Sequence, residues 1–510
     1  MSLVETLSLT ANPFEHYTAE AEPDIVEYAV HPPYLRTILD KASNLSSFIL
    51  FGERGAGKSA TRITIYGENW ANVGRETEPK KSYPLTVNIV DYSSLLPQAR
   101  SGNLSDLEFV SMVSFFVIEK VLSWLSSLPE EDREIYINCL QKEEKALVYA
   151  LLEGYYLNVD EMSRSISNEN AFKLLNAAWT TKSQIWTNKR WGEIAKITSS
   201  ILDAFSKKYI GKEVSVEKDA EVILNSLKSG KEGTARAILS KLSDLAQAFG
   251  FSGVCLLVDK LDETEFTSNS ADSTAKLIYP ILNHIQLMEV PGFSWIFFVW
   301  GAVKEICTKD GIRLDKISSA NITWDERRLR EMIETRIRYF SSNQRSFSDF
   351  FDEGVDVDGC FSELSQLALK SPRELIRLLD TILREHDALG SKDLVSTETI
   401  QVGMDKFVIE TIHTWYNKNA LKQLYRLGTT VFVNQDVQKK FSIGPQGARN
   451  KIINWQQAGM VDQDGTVPTD TPGKPVNKYV VADPRIKRII ERNLDKDVGA
   501  DIEIADGGNE

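Results

Sequence analysis

Short apolar runs that end in glycine or an acidic residue alternate along this chain with longer stretches whose apolar positions recur every three or four residues. Ser46-Ser47-Phe48-Ile49-Leu50-Phe51 runs into Gly52 and predicts a buried strand entering a loop, with a helix over residues 58–68. Pro84 to Tyr92 alternates and is rich in β-branched residues, which predicts a second strand. From about 104 to 250 the spacing is helical, as in DLEFVSMVSFFVIEKVLSWL and ARAILSKLSDLAQAF. This stretch reads as a helical insertion whose last helix returns to the core. Strand signals resume at Gly253 to Val258 and at Phe293 to Val299, and residues 321–410 are helical again. Residues 1–45 read as a polar arm followed by a short helix, and there is no internal repeat.

Composition narrows the class. Of 510 residues, 42% are hydrophobic and 26% charged, which excludes collagen, a disordered chain and a disulfide-rich miniprotein. The length suits roughly three domains of about 150 residues. Cys139, Cys255, Cys307 and Cys360 are far apart and form no CxxC or Cys/His cluster, so reduced thiols are expected rather than a zinc site or a disulfide framework. The N-terminus lacks the basic region and apolar run of a signal peptide. The longest uninterrupted apolar runs fall far short of the roughly 20 residues of a membrane helix. A cytoplasmic protein with no membrane partner is expected.

The glycine after the first strand opens Gly52-Glu53-Arg54-Gly55-Ala56-Gly57-Lys58-Ser59, a match to GxxxxGK[ST] between a strand and a helix that takes in Ala60. Glycines let successive backbone N–H groups converge on a phosphate, and the helix that follows turns its positive end toward that anion. Lys58 is suited to the β- and γ-phosphate oxygens, and the Ser59 hydroxyl to magnesium. A second half of the site lies at Val254-Cys255-Leu256-Leu257-Val258-Asp259-Lys260-Leu261-Asp262-Glu263. Asp259 emerges at a strand's C-terminal end, where open α/β sheets bind ligands, and is the expected metal residue. Asp262 or Glu263 could polarise the attacking water, with Glu263 the first choice of base. Asn417-Lys418-Asn419-Ala420 lacks the aspartate of a guanine-reading NKxD loop and no LSGGQ occurs, so ATP is the expected nucleotide.

Together, GERGAGKS and the DKLDE strand end resemble AAA+-related ATPases of the STAND group, including NACHT and KAP types and the origin-initiator ATPases. Ala320-Asn321-Ile322-Thr323-Trp324, with LREMIETRIRYF after it, looks like the start of their helical lid, and Ser371-Pro372-Arg373-Glu374-Leu375-Ile376-Arg377 resembles their sensor-2 helix. The likeness spans roughly residues 30 to 410. It implies an α/β P-loop NTPase fold with a parallel-sheet core (46–320), a helical lid (321–410), and ATP hydrolysis assisted by magnesium on Ser59 and Asp259. It also implies Glu263 as base, Arg373 as a γ-phosphate contact, and assembly into a homo-oligomer with an arginine finger, for which Arg313 is the first candidate and Arg336 the second. Two features depart from the pattern. Ser59 and Asp259 are 200 residues apart, and Trp295 to Trp300 ends without a polar sensor-1 residue.

Residues 411–492 form a distinct segment. VFVNQDVQKKF, SIGP and QGARNKIINWQQAGMV read as strand or turn, helix, turn and helix, with Ala448, Ile452, Ile453 and Trp455 near one face of the second helix. A Gly/Pro-containing stretch from Asp462 to Tyr479 follows as a wing, and the whole resembles the winged-helix domain of initiator-type ATPases. Thirteen lysines and arginines face six acidic residues here, a net charge of +7 inside a chain of −13. That excess suits DNA or RNA; winged helices also serve as protein contacts, so a protein effector is the alternative partner. Trp179, Trp186 and Trp191, interleaved with Lys182, Lys189 and Arg190, could stack on bases or form helical core. The last residues, 493–510, are acidic and expected to be a disordered tail. These features imply an ATP-driven switch acting in a DNA-linked process, or else an ATP-regulated signalling scaffold; the resemblance to such ATPases implies antiphage defence as one such process.

Overall fold

The computed structural model describes residues 2–22, 24–30, 34–75, 81–159, 194, 196–198, 201, 216–227, 233–390, 394–468 and 475–496. The tryptophan cluster at 179–191 and the acidic tail from 497 onward lie outside the described residues. The chain forms two compact units, Ala19–Thr323 and Met1–Thr18 with Trp324–Glu510.

The first unit is built on a parallel five-stranded sheet. Its strands are β1 (Phe48–Gly52), β2 (Leu85–Ile89), β3 (Val254–Val258), β4 (Phe293–Trp300) and β5 (Ser318–Ile322), in the order β2-β3-β4-β1-β5. Every residue of β1 and β3 is buried. A central parallel strand is covered on both faces, which explains why these runs are continuously apolar rather than alternating. β1 pairs with β4 (Gly52 opposite Trp300) and with β5 (Gly52 opposite Ile322), so strand ends are level at the edge where the loops emerge. β4 separates β1 from β3, so the phosphate loop and the acidic strand end are next-nearest neighbours, roughly 10 Å apart at usual strand spacing. Ala320 to Ile322, likened above to the start of a lid, belong to β5: Ser319, Ala320 and Asn321 pair with Ile49, Leu50 and Phe51. Sheet pairing outweighs the weak local signal there, because the strand completes the ladder of buried β1. At Gly253 a Cβ would lie 2.2 Å from the Gly292 carbonyl oxygen, so the starts of β3 and β4 approach as only glycine permits.

Helices α1 (Leu35–Ser43), α2 (Lys58–Arg75), α3 (Asp106–Ser127), α4 (Thr234–Ala248) and α5 (Ala271–Leu282) pack on the sheet and on one another. The α3 helix opens on a capping box between Ser105 and Glu108. It is long and apolar enough to cross a membrane, but 83% of its apolar window is buried inside the protein. Both α3 and α4 contact the sheet, so the ends of the apparent insertion are core layers. The four cysteines are free thiols, and burial pushes that of Cys255 up to about 12.

The second unit is mainly helical: α6 (Glu326–Phe340), α7 (Val357–Leu367), α8 (Pro372–Ala388) and α9 (Thr397–Trp415), then α10 (Lys418–Leu427), α11 (Asn434–Phe441), α12 (Pro445–Gln457) and α13 (Pro484–Arg492). A three-stranded sheet, β6 (Val431–Val433), β7 (Val461–Val467) and β8 (Val476–Val481), runs in the order β6-β8-β7. The first 18 residues of the N-terminal arm are tied into this unit. Leu3 N–H donates to Asp387 and Asn12 to Asp380, while Arg336 donates to the Pro13 carbonyl at 2.9 Å. Residue 411, the expected start of the C-terminal module, falls inside α9.

Candidate phosphate-binding site

The loop between β1 and α2 has the backbone the motif requires. Gly55 and Gly57 sit at φ +76° and +89°, conformations that strain any side chain. Lys58 is the first residue of α2 and Ser59 and Ala60 follow in its first turn, so the helix dipole and its leading N–H groups face the loop. The Lys58 ammonium donates to the carbonyls of Gly52 (2.9 Å) and Glu53 (3.0 Å), bridging the loop's mouth. The Ala56 N–H donates to Glu53 and closes the turn.

The neighbouring strand end clamps this loop. Gly301, just past β4, donates its N–H to the Gly52 carbonyl. The Trp300 indole N–H donates to the Glu53 carboxylate at 3.0 Å, and the Arg54 guanidinium lies 4.1 Å above the Trp300 ring. An indole thus fills the place where a polar sensor-1 residue was expected at the end of β4.

Across β4, the acidic turn after β3 is held to the loop by two arginine–aspartate pairs. Arg54 donates to Asp262 at 3.1 Å, and Arg62, on α2, donates to Asp259 at 3.0 Å. The second pair is nearly sealed, with side chains only 1% and 3% exposed. Arg62 also reaches Glu20 at 2.8 Å, and Lys260, at φ +62°, reaches the same carboxylate at 3.0 Å. Burial pushes the Glu20 carboxyl up, but Lys260 and Arg62 more than offset this and hold it below its ordinary value. The Tyr92 phenol donates to the backbone carbonyls of Asp259 and Ile89, fastening the ends of β2 and β3 together. Glu263 stays half-exposed, 4.0 Å from Lys260.

These contacts bear on magnesium. Ser59 is suitably placed in the first turn of α2, but Asp259 spends its carboxylate on a buried guanidinium. Among the described residues no group of three or more His, Cys, Asp or Glu could hold a metal ion. Asp259 itself is a poor fit for a resident divalent cation, because the positive charge the ion would supply there already comes from Arg62. Sequence reading missed Arg62, although a signal exists: it lies one helical turn after Lys58, on the same face of α2. Glu20 and Trp300 join the site only through tertiary contact.

Of the remaining candidates, Arg313 is exposed and chelated by Asp315 at 2.8 and 2.9 Å. Arg336 is buried against the Pro13 carbonyl, which removes it from the surface an arginine finger needs. Arg373 is half-buried in the first turn of α8, after the N-cap Ser371; it belongs to the second unit.

That unit carries a helix-turn-helix. The α11 helix ends at Ser442 in the left-handed conformation, and α12 starts on Pro445 after the N-cap Gly444. Ala448, Ile452 and Trp455 are buried, Trp455 edge-on to Phe432. Ile453, expected on that inner face, is 38% exposed, because it falls a third of a turn away from Ile452. The outer face presents Gln446, Arg449, Asn450, Asn454 and Gln457. Strands β7 and β8 pair antiparallel behind it, from Val461 opposite Val481 to Val467 opposite Val476. The +7 segment divides by burial. Arg485 and Arg488 are interior, paired with Asp483 and with Asp405 and Glu363, whereas Lys418, Lys422, Arg426, Lys439, Lys440 and Arg449 are exposed.

No family model matches the chain, and no curated protein matches it. Among solved structures, the chain is similar to the Orc1 protein of Aeropyrum pernix in complex with DNA, at 13% identity over 94% of this chain and 97% of that one, with a TM-score of 0.36. It is also similar to the ORC2 protein of Aeropyrum pernix in its ADPNP-ADP complexes (12% identity, 95% and 99% covered, TM-score 0.39). A third is Cdc6p from Pyrobaculum aerophilum (10% identity, 93% and 99% covered, TM-score 0.31). The chain's own strand order and loop geometry make the core of its first unit an α/β P-loop fold.

Proposed function

We propose that this chain is an ATP-binding, slowly hydrolysing switch that acts on DNA through α12 and the wing behind it. The observation that carries the reading is one chain holding both a glycine-built phosphate cradle, with Lys58 at the head of α2, and a helix-turn-helix whose outer face is Gln, Arg and Asn. Those side chains match the donor and acceptor patterns of base edges in a major groove, while Lys439, Lys440 and Arg426 are placed for backbone phosphates. Antiphage defence is one DNA-linked setting that such a switch would suit.

Turnover is assigned to Glu263, the carboxylate of the turn after β3 that no arginine among the described residues holds. Glu263→Gln is expected to keep ATP affinity while lowering steady-state hydrolysis by roughly 100-fold. A Gln variant hydrolysing at the wild-type rate would remove Glu263 as base. For DNA, the observed association constant should fall with salt, with a log–log slope of about −3.6 to −5.4 if four to six cations neutralise phosphates. Fluorescence anisotropy with a duplex oligonucleotide, with and without ATP, reads this directly. Absence of salt-dependent binding in both states would leave the module as a surface for a protein effector.

A further inference from the structure

The carboxylate at the end of β3 faces an internal cation. Arg62 is 1% exposed, donates to Asp259 at 3.0 Å and to Glu20 at 2.8 Å, and keeps a third nitrogen, Nη1, buried without a hydrogen-bond partner among the described residues. It leaves α2 one turn after Lys58, so its guanidinium and the Lys58 ammonium arise from one face of the helix whose first turn meets the phosphates. Lys260 adds a second cation on Glu20. Asp259, Glu20, Arg62 and Lys260 thus form a charge-balanced cluster closed before any ligand arrives.

An open Asp259 would repel a triphosphate, and a divalent ion between them would be needed to relieve that repulsion. Here the repulsion is already cancelled. A metal entering at Asp259 would have to break a buried, hydrogen-bonded pair, which is costly because the displaced guanidinium must find another acceptor in the interior. We infer that Arg62 is a resident cation that takes the place of magnesium at Asp259, so that this chain binds ATP without a divalent ion. The inference rests on the ATP-binding reading above and deepens it.

The test is ATP affinity of the full-length protein, read by anisotropy of a fluorescent ATP, in excess magnesium and in excess EDTA. Wild type should bind with affinities within about threefold of each other in the two conditions. Arg62→Met should make binding metal-dependent, weakening it about tenfold or more in EDTA relative to magnesium, because Asp259 is then uncompensated. Arg62→Lys, which keeps the charge, should restore the metal tolerance that Arg62→Met loses, which a purely structural role would not produce. Far-UV circular dichroism checks that each variant is folded, and the wild-type comparison decides the matter even if Arg62→Met is not. Wild-type binding that falls about tenfold or more in EDTA overturns the inference and leaves the ATP-binding reading standing. Binding in neither condition overturns that reading and the inference with it.

Discussion

Replacing Lys58 with alanine is expected to weaken ATP binding severely and to leave the fold intact. Inside GERGAGKS, Arg54 is committed to Asp262 and Glu53 to Trp300, whereas the Lys58 ammonium rests on two backbone carbonyls. Those bonds hold it across the loop's mouth, where it can exchange the carbonyls of Gly52 and Glu53 for two phosphate oxygens. Charge-assisted bonds of that kind contribute about 1.5–3 kcal/mol each. Losing them should weaken binding by at least about 100-fold, or roughly 3 kcal/mol. Stability should change by less than about 1 kcal/mol, because both carbonyls keep another donor: Gly301 N–H on Gly52 and Ala56 N–H on Glu53. Anisotropy with labelled ATP, alongside a thermal melt, separates the two effects. A Lys58→Ala protein that binds ATP as tightly as wild type would remove the phosphate loop from the site.

The parts of this site that sequence reading found are those fixed by local rules. GERGAGKS demands a strand, positive-φ glycines and a helix start within eight residues, and β1, Gly55, Gly57 and α2 supply them. The VCLLV run could only be a buried strand ending at an acidic turn. The helix-turn-helix was legible because SIGP supplies both the break and the proline start of α12. What escaped depends on pairing across the chain. Nothing local to Asp259 announces that Arg62, 197 residues earlier, neutralises it. The edge strand β5 has exposed, polar Ser318 and Ser319, so its own residues do not spell a strand; the β1 ladder imposes it. Counting charges over 411–492 likewise merged two populations that burial separates.

That separation yields the largest expected stability effect. Arg485→Met should destabilise the second unit by about 3–5 kcal/mol, because it strands the Asp483 carboxylate in the interior. Both side chains are at most 2% exposed. Arg485 donates to both carboxylate oxygens through Nε and stacks 4.9 Å from the Trp415 ring, while the Tyr416 phenol also donates to Asp483. Asp483 is in addition the N-cap of α13. Burial pushes the Asp483 carboxyl up, but Arg485 and Tyr416 outweigh it and hold it below its ordinary value. A carboxylate depressed in the folded state stabilises above its unfolded pKa and loses that contribution as pH falls through the folded value. In wild type the loss therefore sets in as pH falls below the ordinary aspartate value. In Arg485→Met only Tyr416 and the backbone oppose the burial that raises the carboxyl, so it is expected to move upward and the variant's penalty to ease as Asp483 protonates. The stability gap, measured by urea denaturation, should narrow steadily from pH 7 toward pH 4; a gap that is constant with pH would mean that missing packing on Trp415, not a stranded charge, is the cause. DNA affinity tells the two populations of cations apart. Alanine at Lys439 and Lys440 should reduce the salt slope by about one unit for each phosphate no longer neutralised, without changing the melt. Arg485→Met, by contrast, should act on DNA only as far as it unfolds the module that presents α12.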